Sequence, residues 1–207
     1  MKAASEVLEF DAAIPSAAPF PHFIAPRFYT GDFAETLLKW LEGATWQLKE
    51  TILFEQYQLG FSDFVHCSEI EGLWDASVLR RVRDTASRAL GVLLSDRINI
   101  SAHKLLPGQF GGIHTDNVPG ETHRLVVQLN RGRTGDSGGN LVFLSGPSPN
   151  DLAIAFRQIS NSAAGFRLGE ESYHAITRVK TGVRFTIIYT FLSGAANDGE
   201  YRYFRAS

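Results

Sequence analysis

His114 and Asp116 stand two residues apart in the segment Gly111-Gly112-Ile113-His114-Thr115-Asp116-Asn117, and His174 follows far downstream. If the first segment is extended, alternate side chains leave one face of the strand, so an imidazole and a carboxylate would project together. Those two alone would make a weak, water-filled metal site, and His174 can supply the third ligand. Two histidines and one carboxylate on one face of a metal leave the opposite positions open, which is the ligand set of non-haem Fe(II) oxygenases. His114, Asp116 and His174 are therefore candidate Fe(II) ligands and candidate catalytic residues.

Arg184 lies ten residues beyond His174 and sits in an apolar run with Val183, Phe185, Ile187 and Ile188. An uncompensated buried charge there would be costly, so Arg184 is expected to meet an anion. His114-Thr115-Asp116, the strand motif Gly138-Gly139-Asn140-Leu141-Val142-Phe143, His174 and the spaced Arg184 occur in that order. Together they resemble the 2-oxoglutarate/Fe(II) dioxygenases, and within them the prolyl-4-hydroxylase-like group, over roughly residues 98 to 192.

The resemblance implies that His114, Asp116 and His174 bind Fe(II) and that Arg184 and Thr186 grip the far carboxylate of 2-oxoglutarate. With dioxygen, 2-oxoglutarate would be converted to succinate and carbon dioxide while an unactivated carbon is hydroxylated. Related halogenases carry a small residue in place of the aspartate, so Asp116 implies hydroxylation. Many relatives have a tyrosine about three residues before the turn glycine, where this chain has Leu105. Another group must then help to hold 2-oxoglutarate, and His103, Arg124 and Gln128 are the candidates.

Three stretches further resemble a bacterial subgroup that tailors ribosomally made peptides, including cyclophane-bearing ones. They are Glu55 to Gln58, Ser101 to Leu105 with Pro107-Gly108, and Gly120 to Asn130. The implied substrate is a peptide side chain, and the loops 117–123 and 131–138 would flank its entrance, as functional loops on a rigid scaffold do. A free amino-acid or small-molecule hydroxylase would use the same iron and cosubstrate residues. A non-catalytic cupin-like binding module would lack metal-dependent succinate formation. A nucleic-acid demethylase would want a basic groove.

Other candidates have plainer readings. His22, His66 and His123 read as surface or core residues, Arg131 and Arg133 as solvated, and Gly138-Gly139 as a turn or close backbone approach. Glu55, Gln56 and Tyr57 suit structural roles at least as well as substrate contact.

Composition supports one domain over the 207 residues, with 44% hydrophobic and 20% charged residues. The net charge of -2 gives no general attraction to nucleic acid or anionic membrane. Cys67 is the only cysteine, which excludes an intrachain disulfide and suits a reducing cytoplasm. Acidic residues Glu6, Glu9 and Asp11 interrupt the start of the chain, and no stretch has the length of a membrane span.

The elements that would position the ligands read as a mainly β fold with flanking helices. Residues 1–29 are expected as an extended arm whose spaced prolines deny a regular ladder, with Phe20, Phe23, Ile24 and Phe28 docking on the core. A helix is expected from about Phe33 to Gly43, and strands within 51–65. A longer helix should run from Asp75 to Leu94, with its stripe Leu79, Val82, Ala86, Leu90 and Leu93 packed across a sheet.

Strands are expected at Arg97 to Leu106, Arg124 to Asn130, Asn140 to Leu144, Ala163 to Leu168 and Gly182 to Leu192, with a short helix over Pro149 to Phe156. Arg124, Val126, Gln128 and Asn130 share one face of their strand, as the wall of a polar cavity would. Many short strands separated by turns predict a jelly roll, the cupin-like double-stranded β-helix, over 98–192, buttressed by the N-terminal helices.

Overall fold

Two antiparallel sheets face one another in the structure, a computed structural model that describes residues 4–132, 135–157, 159–193 and 202–206. The major sheet runs β1 (Ile14–Ser16), β2 (His22–Ala25), β10 (Ala163–Arg167), β7 (Glu121–Leu129), β12 (Arg184–Leu192), β5 (Arg97–Leu105), β4 (Glu55–Gly60) and β3 (Gln47–Glu50), and β13 (Phe204–Arg205) also pairs with β5. The minor sheet runs β6 (Gly111–His114), β11 (His174–Ile176), β8 (Leu141–Leu144) and β9 (Leu152–Phe156). This is the expected jelly roll, and its sheets also draw strands from outside 98–192.

Strand alternation divides the core into two layers. One face of the major sheet presents Ile98, Ile100, Ala102, Leu125, Val127, Ile187, Tyr189 and Phe191 to the helices α2 (Gly31–Gly43) and α3 (Ala76–Leu90). The other face presents Val126, Ala164, Phe166 and Ile188 to Leu141, Phe143 and Phe156 of the minor sheet. That second layer fills only part of the space between the sheets. The remainder is a polar cleft.

α3 forms as its periodicity predicts: Val78, Leu79, Val82 and Ala86 are buried on one stripe. Its N-terminus is capped by Asp75, whose carboxylate accepts from Ser77 N at 2.9 Å. Gly91 ends it with φ 67, a left-handed turn that glycine adopts at little cost. The helix therefore stops before Leu93, which is 91% exposed and does not extend the stripe.

Two further expectations need correction. The N-terminal segment is not excluded from regular pairing. Residues 22–25 make a full ladder with β10, because Pro21 and Pro26 flank that strand and Pro15 lies on the outermost one, where a missing N–H is tolerated. Its anchors hold as expected, with Phe20, Phe23 and Phe28 buried. Pro149 to Phe156 is not a helix. Ser148 and Asp151 form a capping box around the single 3-10 turn Pro149–Asp151, after which Leu152–Phe156 pairs with β8.

Gly138 is the close approach anticipated for the Gly138-Gly139 pair. It has φ 67, and a Cβ there would lie 2.1 Å from Arg178 O. Gly138→Ala is therefore expected to cost about 3 kcal/mol or more from strain and a backbone clash. Thermal unfolding would register this as a drop of several degrees, and an unchanged midpoint would show the approach to be unimportant.

Among the described residues no helix is long and apolar enough to cross a membrane.

Candidate metal and cosubstrate site

The register of the four central strands lays polar residues across the inner face in rows. Leu105 pairs with Arg184; Gln58, His103, Thr186 and Gln128 form the next row; Ser101, Ile188 and Val126 the third; Asn99, Thr190 and Arg124 the fourth. Arg184 and Thr190 are six residues apart, about 20 Å along an extended strand. All of the residues in these rows except Leu105 and Gln128 wall one side of a cleft of about 260 Å³.

The opposite wall carries His114, Asp116 and His174, whose ligand atoms all lie within 4.8 Å of one another. His114 and His174 face each other across the β6–β11 pair, with ring centroids 4.3 Å apart. Asp116 does not reach them by strand alternation, as the spacing suggested. β6 ends at His114 and the chain turns, leaving Asp116 in the left-handed region at φ 51. Asp and Asn bear that conformation better than most side chains, so the turn itself favours this residue type.

Both imidazoles are oriented from behind. His114 Nδ1 lies 2.7 Å from Gly112 O, and His174 Nδ1 lies 2.8 Å from Ser172 O. A ring that gives its Nδ1–H to a carbonyl turns its Nε2 lone pair toward the site, the usual second contact of a metal-ligating histidine. Ser172 is buried, and its hydroxyl donates to Thr115 O at 2.8 Å, tying the His174 turn to the His114–Asp116 turn. Phe166 closes one side of the His174 ring at 5.0 Å.

The three candidate ligands also contact one another. His174 Nε2 lies 2.9 Å from Asp116 Oδ2, and His114 Nε2 lies 3.4 Å from Asp116 Oδ1. Burial pushes the Asp116 carboxyl up, but the adjacent His114 and His174 imidazoles and the Arg124 guanidinium hold it far below the ordinary carboxylate range. Burial depresses His174, whereas for His114 the Asp116 contact outweighs burial and raises the imidazole. A carboxylate and two inward Nε2 atoms are a donor set that fits Fe(II).

The candidate cosubstrate residues separate into two groups. Arg184, 2% exposed, donates through Nη1 to Thr186 Oγ1 at 3.4 Å, and Gln128 and His103 flank Thr186 on the neighbouring strands. Gln128 Oε1 is buried without a hydrogen-bond partner among the described residues, so this row has polar capacity to spare. Arg124 instead sits at the metal end, where it donates to Asp116 Oδ2 and, at 2.6 Å, to Glu121 Oε2. Its position there argues against a contact with the far carboxylate of 2-oxoglutarate. Leu105 is fully buried beside Arg184, as an apolar neighbour.

The structure adds residues that the motifs did not indicate. Glu121 lines the cleft beside Arg124, and Asn99, Ser101 and Thr190 continue the polar wall. Glu121 could have been suspected only from its neighbour Arg124; the role of Ser172 depends on a contact that sequence spacing does not encode. Of the less favoured candidates, Gln56 lines the cleft, Glu55 accepts from Gln109 at 2.9 Å, and Tyr57 turns away to stack on Lys104. The 117–121 turn lies at the metal end. Arg131, by contrast, is bound to Glu35 and Glu42 of α2, so its loop starts away from the cleft mouth; Arg133 lies outside the described residues.

Neither a family model nor a curated protein matches the sequence. Solved structures do match. A prolyl-4-hydroxylase from Pseudomonas putida aligns at TM-score 0.67 and 14% identity, covering 83% of this chain and 91% of that one. A prolyl hydroxylase from Trichoplax adhaerens, solved in complex with a hypoxia-inducible-factor oxygen degradation domain peptide fragment, aligns at TM-score 0.68 and 15% identity over 87% of each chain. A 2OG-Fe(II) oxygenase family oxidoreductase from Burkholderia pseudomallei aligns at TM-score 0.59 and 16% identity, over 79% of this chain and 81% of that one. The chain has the fold of these oxygenases. The same fold also carries SnoN, an alpha-ketoglutarate-dependent epimerase, at TM-score 0.63, 11% identity and coverage of 87% and 86%, so fold alone does not name the reaction.

The half-buried His103 and His123 make acid stability a further readout. Burial, with the nearby Arg124 and Arg184 charges, pushes His103 down to about 3, and burial with Arg167 pushes His123 down to about 4. An unfolded histidine titrates near pH ~6.5, so below that value the unfolded chain takes up protons that the folded chain refuses. Stability of chelator-treated protein is therefore expected to fall as pH drops from 6.5 towards 4. His123→Gln should make that decline shallower in thermal unfolding, and a slope unchanged from wild type would remove His123 from the account.

Proposed function

We propose that the chain is an Fe(II)- and 2-oxoglutarate-dependent dioxygenase that hydroxylates an unactivated side-chain carbon of a peptide. The observation that carries this reading is the placing of three inward metal-ligand atoms and a buried arginine at separate positions of one cleft. His114, Asp116 and His174 would hold the iron. Arg184 and Thr186 would hold the far carboxylate of 2-oxoglutarate, with His103 and Gln128 at its flanks. Bound iron, cosubstrate and dioxygen would supply oxidative decarboxylation to succinate and carbon dioxide coupled to C–H hydroxylation.

The chain's own part is orientation and exclusion. The Nδ1 contacts of the two histidines fix their lone pairs, and Arg124 occupies one face of the Asp116 carboxylate. His103, neutral at physiological pH, can offer a hydrogen bond without adding a charge beside Arg184. Ile188, Val126, Phe166 and Leu141 supply an apolar surface at mid-cleft, between the metal end and Arg184, where the carbon chain of 2-oxoglutarate would lie.

Cleft size supports a substrate that enters only in part. Pockets for whole drug-sized ligands are commonly ~300–1,000 Å³, whereas about 260 Å³ must here take both cosubstrate and the reacting group. A peptide side chain satisfies this, with its backbone outside the cleft. The Trichoplax adhaerens enzyme was solved with a peptide fragment, which supports a peptide as the substrate class. A free amino acid would also fit. The lone Cys67 suits action in a reducing cytoplasm.

The test is anaerobic absorption spectroscopy of the protein titrated with Fe(II) and then 2-oxoglutarate. An iron-to-keto-acid charge-transfer band is expected, and its absence with both components in excess would return the protein to the binding-module reading. Succinate formation with peptides set against free amino acids would then divide the two substrate classes.

A further inference from the structure

His114 belongs to β6, the edge strand of the minor sheet, whose partner within that sheet is β11. Its outer side is taken by the major sheet. β3 and β4 end that sheet, and the tip of their hairpin, residues 51–54, crosses to β6. There Gly112 N donates to Leu53 O at 2.6 Å, and Phe54 bridges to Gly111. Below the tip, the buried Gln109 donates through Nε2 to Glu55 Oε1 at 2.9 Å and accepts through Oε1 from Leu106 N at 2.8 Å. The hairpin is thereby tied also to the turn that leads into β6.

Gly112 has both of its backbone groups engaged. Its N–H meets the hairpin, and its carbonyl lies 2.7 Å from His114 Nδ1. A shift of the hairpin tip therefore moves the group that sets the direction of the ring. The approach leaves no room for a side chain, since a Cβ on Gly112 would lie 2.9 Å from Leu53 O, a backbone atom. His174 takes its support elsewhere, from Ser172 O, with the Ser172 hydroxyl bonded to Thr115 O. The two imidazoles are thus oriented by separate parts of the fold.

The tip is shaped by polar contacts. Thr51 N donates to Phe54 O at 2.9 Å, and Thr51 Oγ1 accepts from Leu53 N and from Phe54 N, each at 3.1 Å. A threonine hydroxyl favours such a turn by bonding the backbone that follows it. Side-chain packing adds little at the outermost residues, because Ile52 is 100% exposed and Leu53 is 41% exposed. The direction of Leu53 O is accordingly set by the backbone and the Thr51 hydroxyl.

We propose that Gly112 and Thr51 are positioning residues for His114: the Thr51 hydroxyl shapes the hairpin tip, the tip fixes Gly112, and the Gly112 carbonyl fixes the ring. The inference rests on the metal site proposed above. Its consequence is that the metal centre is built from both sheets, so that an exposed threonine outside the cleft lining acts on metal affinity through one ligand and not through the other.

Co(II) titration of the whole protein tests this, joined to proton NMR of the Co(II)-loaded form, in which each ligand histidine gives its own paramagnetically shifted, exchangeable ring N–H. Gly112→Ala should weaken Co(II) binding by ~10–100-fold, the usual effect of losing a group that orients a metal ligand. Thr51→Val, which removes a hydrogen-bonding hydroxyl one contact further out, should weaken it by about threefold to tenfold at a near-wild-type melting temperature. In Thr51→Val the His114 ring N–H should exchange faster with solvent while that of His174 stays unchanged, and Thr51→Ser should behave as wild type. In metal-free protein the Gly112 amide should exchange faster in Thr51→Val than in wild type. Wild-type protein that binds no Co(II) would remove the metal site, and the proposal with it. Wild-type binding with affinity and ring N–H exchange unaltered in Thr51→Val, or with both ring signals changed alike, would overturn the positioning role alone.

Discussion

His174→Ala protein is expected to lose tight Fe(II) or Co(II) binding and, with it, any charge-transfer band on adding 2-oxoglutarate. His174 is the most enclosed of the three ligands, with Nδ1 held by Ser172 O at 2.8 Å and Nε2 turned to Asp116 at 2.9 Å. Loss even of a group that merely orients a metal ligand typically costs ~10–100-fold in affinity, and removing the ligand itself should cost more. It also leaves a pocket beside Phe166 and releases one of the contacts on Asp116. Isothermal titration with Co(II) would measure the effect directly. His123→Ala serves as the comparison, because His123 lies outside the metal cluster and should leave affinity within a few-fold of wild type. Wild-type affinity in His174→Ala would remove the three-residue site from consideration.

Arg184→Ala should separate cosubstrate binding from metal binding. Co(II) affinity is expected to stay near wild type, since Arg184 is three rungs of strand alternation away from the Thr190–Arg124 row that touches Asp116. The 2-oxoglutarate dissociation constant should rise by about 30-fold to 1,000-fold or more, corresponding to the ~2–5 kcal/mol lost when one partner of a buried, hydrogen-bonded charge pair is truncated. Arg184→Lys would restore the charge without the planar fork and should recover only part of the loss. Thr186→Val, which keeps shape and removes the hydroxyl 3.4 Å from Arg184, should weaken binding by a smaller factor of about five. If Arg184→Ala leaves 2-oxoglutarate binding untouched, the deep end of the cleft does not hold the carboxylate.

The gathering of His114, Asp116 and His174 could be anticipated from residue identity, since two histidines and a carboxylate are a recognisable donor set for a metal. The burial of Arg184 was equally legible from its apolar neighbours Phe185, Ile187 and Ile188. How these residues converge was not. Asp116 arrives by a left-handed turn that no strand periodicity encodes, and Ser172 acts through a carbonyl and a contact fixed only when β6 and β11 pair. Proline density over 1–29 conceals the N-terminal ladder, which depends on Pro15, Pro21 and Pro26 standing at an edge strand or a strand end. The alternating alanines of Leu152–Phe156 suit a helix locally, and only pairing with β8 makes a strand the better solution. Arg124 was on the predicted polar face, but face alone could not say at which end of the cleft it would be used.

β12 lies between β7 and β5 at the centre of the major sheet, and alternate residues along it serve the cleft and the helix-side core. A single inserted or deleted residue between Phe185 and Phe191 would invert everything beyond it, turning Ile187 and Tyr189 into the cleft or sending Thr186 and Thr190 among the helices. Such a chain would lose its ligand contacts and its packing in the same event. Length variation is thus forbidden along this strand while remaining open to the 117–121 turn. New substrate preferences in this lineage should arise by insertion and exchange at the rim, with the central strand held to a constant frame.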